Sequence, residues 1–306
     1  MNKLISIIIP FYNEQNVLTS FVKQLNRELL QLKKYRFEIL LMDNASTDES
    51  RNEANFLASK YRNVRVFRQT RNFGYQANIL AGYHLSKGDA VIQIDADGED
   101  DPKIIKKFIE KWEDGYKVVY GIRKTRKESI GLEIQRKIFY RALKRISDIN
   151  IPIDSGDFRL LDRTIVNELK MFKERSLYIR GIISYIGGKQ IGIHYDRGAR
   201  KGGQSKFNWL KYASFALNAI TSFSNKPLLL VSLIGFLTCA ISMLAALFYI
   251  AMYISGAIVV KGFTSIIVLL LFFNVINIMA LGIISIYLAR LIDEVRERPR
   301  FIIEKK

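Results

Sequence analysis

Apolar residues follow two rhythms over the first 120 positions. Short unbroken runs such as Ser6-Ile7-Ile8-Ile9 alternate with stretches in which apolar residues recur every three or four positions. The runs predict strands at Ile5–Pro10, Phe37–Asp43, Val64–Phe67, Val91–Asp95 and Val118–Tyr120. The helical rhythm predicts Gln15–Leu30, with Val17, Leu18, Phe21, Val22, Leu25 and Leu29 on one face, then Asp48–Lys60, Tyr75–Ser86 and Pro102–Trp112. This β-α order predicts an α/β domain built on a parallel sheet covered by helices. The lack of alternation within the runs predicts strands buried on both faces. Ligands of such sheets bind beyond the carboxyl ends of the strands. Polar clusters fall at those ends: Asn13-Glu14, Asp43-Asn44, and Asp95 to Asp101.

A different pattern follows. Leu228–Val260 holds no Asp, Glu, Lys or Arg in 33 residues, and Phe263–Ala289 none in 27. A membrane span needs roughly 20 apolar residues at a rise of 1.5 Å each. The stretches therefore predict two transmembrane helices at about 228–254 and 263–289, with buried core helices as the weaker reading. Asn274 and Asn277, one turn apart, are expected to face the other helix rather than lipid. The resulting division is a catalytic domain over 1–196, a juxtamembrane segment over 197–226, a hairpin over 227–290 and a tail over 291–306.

Charge orients this arrangement. The chain carries a net +18. Arg290 at the end of the hairpin and Arg296, Arg298, Arg300, Lys305 and Lys306 of the tail are basic, whereas the loop between the spans offers only Lys261. The positive-inside rule then predicts a multi-pass plasma-membrane protein with both termini cytoplasmic. No signal peptide is expected, because the run Leu4–Pro10 is short and lacks a cleavage pattern. Arg197–Lys226 contains six Lys or Arg, no acid, and Phe207, Trp209, Tyr212 and Phe215 among its apolar residues. This reads as an interfacial segment on anionic lipid, against a nucleic-acid patch or a soluble amphipathic helix. Its place beside the spans favours membrane lipid over nucleic acid. The single Cys239 excludes a disulfide framework and a cysteine metal site.

The strongest chemical signal is Ile94-Asp95-Ala96-Asp97-Gly98-Glu99-Asp100-Asp101-Pro102. Massed carboxylates repel unless a hard cation sits between them, and Mg²⁺ or Mn²⁺ takes oxygen ligands. The run reads as a metal-diphosphate site or as an acidic turn capping the helix near Pro102. The dinucleotide fingerprint G-x-G-x-x-G does not follow the first strand, and no P-loop motif occurs. His84 and His194 are expected to be structural.

Together these elements resemble family 2 glycosyltransferases of the GT-A fold, and within them the polyprenyl-phosphate branch typified by dolichol-phosphate mannose synthase and bactoprenol glucosyl transferases. The resemblance rests on Ile9-Pro10-Phe11-Tyr12-Asn13-Glu14, Met42-Asp43-Asn44-Ala45-Ser46-Thr47-Asp48, Arg71-Asn72-Phe73-Gly74, Asp95-Ala96-Asp97, Asp154-Ser155-Gly156-Asp157-Phe158-Arg159-Leu160, Arg200 through Ser205-Lys206, and Glu297-Arg298-Pro299-Arg300-Phe301, in this order and followed by two spans. No Q-x-x-R-W of the processive synthases occurs, which favours transfer of a single sugar. The branch usually continues its D-x-D as Leu-Gln-Asp-Pro-Pro-Glu; here Glu99 stands in place of the Gln, and a carboxylate there is still an oxygen ligand.

The resemblance implies a nucleotide sugar donor, first UDP-glucose, a divalent cation, and polyprenyl (undecaprenyl) phosphate as acceptor. UDP-N-acetylglucosamine, GDP-mannose, an amino-arabinose donor or a diacylglycerol acceptor are its near variants; a non-catalytic scaffold is the distant one. A homo-oligomer is compatible with either. It assigns Asp97 and Glu99 to the metal, Asp95 beside them, Pro10, Asn13, Glu14 and Asp43 to the nucleoside pocket, and Asp157 to the catalytic base. Asp43 is also a candidate turn acid, with Asp48 competing for the helix cap, and Asp157 a candidate ion-pair partner of Arg159. Arg123, Arg126, Arg200, Ser205 and Lys206 are candidates for substrate contacts, the cations for phosphate.

Overall fold

The computed structural model describes residues 2–123, 155–174, 178–196, 226–255 and 262–305. The described residues fall in two compact units, one holding those up to 196 together with 298–305, the other holding 226–297.

In the first unit β1 (Leu4–Phe11), β2 (Arg36–Asp43), β3 (Val64–Arg68), β4 (Ala90–Gln93), β5 (Val118–Arg123), β6 (Ser155–Asp162) and β7 (Gln190–Tyr195) form one sheet in the order β3-β2-β1-β4-β6-β5-β7. The first four strands are mutually parallel, as the β-α order requires. β6 runs antiparallel to both of its neighbours, β4 and β5. The sheet is therefore mostly parallel, with one reversed strand inserted where the periodicity gave no signal.

Side chains alternate across β1. Ile5, Ile7 and Ile9 join a core with α1 (Leu18–Leu30), α2 (Ser50–Lys60) and α4 (Ile104–Glu113), through Phe21, Leu25, Leu57 and Phe108. Ile8 points to the other face, against α3 (Tyr75–Leu85). A Cβ on Gly82 would lie 2.4 Å from Ile8 Cγ2, so glycine lets α3 approach the sheet closely. α5 (Arg163–Met171) and α6 (Ile179–Ile186) complete this unit. β4 leaves the ladder at Gln93, two residues before the predicted end, which releases Asp95 and Asp97 into a loop.

In the second unit both charge-free stretches are helical: α7 (Lys226–Ile254) and α8 (Phe263–Val295). Among the described residues, Phe272–Val295 is long and apolar enough to cross a membrane, and α7 carries a shorter apolar stretch, Val231–Ala245. α8 runs beyond the predicted end at 289 because no helix breaker stands before Pro299. The juxtamembrane segment 197–225 lies outside the described residues.

The tail returns to the first unit. Phe301 packs on His84 with ring centroids 5.5 Å apart. Burial, then the charges of Arg300 and Lys170, lower the His84 pKa to about 4. A base with a depressed folded pKa contributes stability above its unfolded value, about 6.5, and that contribution is lost as pH falls towards 4. Melting temperature is therefore expected to drop over this window, and less steeply in His84→Asn. Parallel pH profiles of the two proteins would argue against this origin.

Candidate active site

The carboxyl ends of β1 to β4 lie along one edge of the sheet, with Phe11 paired to Asp43 and Asp43 to Arg68 in register. A cavity of about 340 Å³ opens there, lined by Pro10, Glu14, Asn44, Tyr75, Asp95 and Asp97 among others. Four of the expected site residues thus share one cavity.

The loops around it are cross-linked. Asn13 has φ +57° and spends its amide on the loop after β2: Thr47 N donates to its Oδ1 at 2.8 Å, and its Nδ2 donates to Thr47 Oγ1 at 3.2 Å. Glu14 N donates to Ser50 Oγ at 2.7 Å. Asn44 Nδ2 donates to Asn72 Oδ1 at 2.9 Å, and Phe73 N donates to Asn44 Oδ1 at 3.1 Å. These bonds tie Asn72 and Phe73 of the Arg71-Asn72-Phe73-Gly74 motif to the residue that follows β2.

Asp43 is fully buried. Its Oδ1 accepts from Ser46 N at 2.7 Å, a turn role, while Oδ2 has no hydrogen-bond partner. Arg68 Nη1 approaches Oδ2 to 3.6 Å. Asp48 takes the helix-entry role, accepting from Ser50 N at 3.0 Å. Asp43 thus serves its turn with one oxygen and keeps the other.

The acidic run is divided by its partners. Asp97 Oδ1 accepts from Glu99 N at 3.1 Å, across a turn that places Gly98 at φ +74°. Glu99 is 8% exposed. Asp100 accepts from the Tyr195 hydroxyl, and Asp101 Oδ1 accepts from Lys103 N at 3.0 Å, the capping role. Asp95 Oδ1 accepts from the Tyr75 hydroxyl at 2.6 Å, and Gln93 Nε2 donates to that hydroxyl at 3.1 Å. Burial, then the charge of Asp157, push the Asp95 carboxyl up to about 7; Asp100 and Asp97 add to this and the Tyr75 hydrogen bond opposes it. No group of three or more His, Cys, Asp or Glu able to hold a metal comes together among the described residues. A cation here would need one or two carboxylates completed by substrate phosphate and water, the way Mg²⁺ is commonly held.

Asp157 projects from β6 and is gripped by Arg180 of α6, with Nε to Oδ1 at 2.6 Å and Nη2 to Oδ2 at 2.7 Å. Arg159 Nη2 is a second neighbour at 3.6 Å. Arg159 is buried and donates to the Gly156 carbonyl at 2.9 Å. The expected Asp157–Arg159 pair is thus secondary to a bidentate contact that no local motif signalled. Arg123 ends β5 opposite Tyr195. Arg126, Arg200, Ser205 and Lys206 lie outside the described residues. Sequence reasoning missed Tyr75, Gln93 and Arg180.

This arrangement is found with a family signature. The sequence profile described as Glycosyl transferase family 2 matches residues 6–170. The chain belongs to glycosyl transferase family 2. This family 2 glycosyltransferase is 36% identical over 304 residues to the bactoprenol glucosyl transferase of Shigella phage SfII, covering 98% of this chain and 97% of the relative. It is also 36% identical over 301 residues to the uncharacterized glycosyltransferase YkcC of Bacillus subtilis (strain 168), covering 98% of this chain and 93% of that one. Among solved structures, mannosyl-3-phosphoglycerate synthase from Rubrobacter xylanophilus superposes with a TM-score of 0.51 at 16% identity, over 72% of this chain and 73% of that one. The fold is GT-A-like, as the resemblance implied.

Proposed function

We propose that the chain is a membrane-associated inverting glycosyltransferase that moves one sugar, glucose from UDP-glucose, to polyprenyl phosphate at the cytoplasmic face. The observation that carries this reading is the 36% identity to a bactoprenol glucosyl transferase over nearly the full length, since the alignment spans the first unit and both C-terminal helices. Exposed apolar side chains along α8, such as Leu270, Phe272, Ile278 and Leu281, support a lipid environment. Leaving such a surface in water costs about 25 cal/mol per Å².

The residues fit a nucleoside diphosphate. Pro10, Glu14 and Asn44 line the cavity where the first two strands end, and Asp43 Oδ2 is a buried acceptor without a donor. Uracil presents an N–H that such an oxygen accepts. Asp97, with Glu99 two residues on, would hold a divalent cation, which supplies Lewis-acid neutralisation of the departing diphosphate. Burial, then the neighbouring charges of Asp157, Asp100 and Asp97, raise Asp95, and a cation placed among these acids would offset their mutual repulsion. The mannosyltransferase from Pyrobaculum calidifontis, with a TM-score of 0.50 and 14% identity, was solved with GDP-Man and Mn²⁺.

Asp157 lies within electrostatic reach of Asp95, which lines the cavity. A lipid phosphate is already anionic near neutral pH, with a second pKa of about 6, and needs little help to attack. Both Asp157 oxygens are engaged by Arg180. The pair therefore orients the reacting groups, and Asp157 takes a last proton where one remains. Arg200 and Lys206 are proposed to receive the acceptor phosphate.

The test is release of UDP from UDP-glucose by the purified protein with and without undecaprenyl phosphate. Lipid-dependent release is expected. Equal release with and without lipid would overturn the acceptor assignment.

A further inference from the structure

The tail after α8 docks on the first unit through its backbone. Thr70 N donates to the Ile302 carbonyl at 3.0 Å, Glu304 N donates to the Arg68 carbonyl at 2.8 Å, and Gln69 forms an antiparallel bridge with Ile303. Arg300 Nη1 adds a hydrogen bond to the Phe172 carbonyl at 2.6 Å. These contacts place Glu304 at the ligand end of β3 whatever its carboxylate does.

That carboxylate faces two guanidinium groups. Oε1 lies 3.2 Å from Arg68 Nε, and Oε2 lies 3.5 Å from Arg51 Nη2. Arg68 stands between two acids, because its Nη1 is also 3.6 Å from Asp43 Oδ2. Its Nη2 donates to the Ser46 carbonyl at 3.4 Å, and its Nε is buried without a hydrogen bond. The guanidinium is therefore loosely held and shared. A contact of 3.6 Å is outside hydrogen-bond length, so Asp43 Oδ2, fully buried, has this long ion-pair contact and no hydrogen bond. A buried acceptor left unpaired is costly. Nothing in Asp43's turn role requires it, since Ser46 N uses the other oxygen.

We infer that Glu304 and Arg68 are positioning residues for the donor nucleobase: Glu304 draws Arg68 away from Asp43, which keeps Oδ2 free to accept the base N–H. This rests on the donor reading above and adds the tail to the donor site. Without the Glu304 charge, Asp43 is the nearest remaining acid for Arg68. The guanidinium then closes the remaining gap and occupies the acceptor. The Arg68 side chain is only 23% exposed, so solvent screens this exchange weakly. A tail that served only as an anchor would behave differently. Anchoring uses the backbone bridge, Arg300 and Phe301, all of which Glu304→Gln leaves in place.

The experiment uses the full chain in detergent with MnCl₂ and UDP as the probe, followed by calorimetry and donor kinetics. Glu304→Gln is expected to weaken UDP binding by about tenfold or more, the effect of one charge-assisted hydrogen bond. Donor KM should rise in parallel while kcat is kept. Adding Arg68→Met should restore UDP affinity, because the competing cation is gone; a purely structural loss would deepen instead. Unchanged affinity in Glu304→Gln, or a double variant as weak as the single, overturns the inference alone. Absence of UDP binding by the wild-type chain overturns the donor reading and this inference with it.

Discussion

Asp97→Ala is expected to lower sugar transfer by about 10³-fold or more, several kcal/mol of leaving-group stabilisation. The sheet and core do not depend on this side chain. Asp97 is in the loop beyond β4, its Oδ1 accepts from Glu99 N, and the capping and packing work of the run falls to Asp101 and Asp100. The nearby Asp95 already has one oxygen committed to the Tyr75 hydroxyl. Loss of rate with unchanged melting temperature separates a chemical role from a structural one. Titration with MnCl₂ and with chelator should move wild-type turnover between the same limits. Turnover of Asp97→Ala close to wild type would remove the metal assignment.

A second large effect is expected at the Asp157–Arg180 contact. Asp157→Asn keeps the shape but leaves two guanidinium groups, Arg180 and the buried Arg159, without their carboxylate. Turnover should fall by about 10²–10⁴-fold, the range for a positioned acid–base group, while UDP affinity stays near wild type. Arg180→Ala should fall similarly, because the carboxylate loses the bidentate contact that orients it. The double variant should be far from additive, since the two side chains act as a unit. Full activity in Arg180→Ala would mean that the bidentate contact is incidental to the chemistry.

How much of this was legible in the sequence follows from the range over which each signal acts. β1 to β4 and their helices come from local periodicity, and their ends fell within a few residues of the observed bounds. β6 is different: it follows β5 in the chain but lies between β4 and β5, and that insertion is decided by long-range pairing. Asp95 and Asp97 could be placed at a strand end because acids crowd there in sequence. Arg180 could not be tied to Asp157, 23 positions away on a helix that carries no motif. Asn13 was legible as a polar residue at the right edge, but not as the staple that holds the second loop. Asp43 was legible as a turn acid, the role its Oδ1 takes, while the proposed base contact would fall to the other oxygen. The contact of Glu304 with Arg51 spans 253 positions, beyond the reach of any local reading.

The most direct test of the account is the identity of the product. Purified full-length protein would be offered a panel of nucleotide sugars with undecaprenyl phosphate and Mn²⁺, and the lipid fraction weighed by mass spectrometry. The account predicts that UDP-glucose gives undecaprenyl phosphate heavier by one hexose, with no longer chains. Lipid carrying several sugars, or lipid left unmodified by every donor while sugar appears elsewhere, would contradict it.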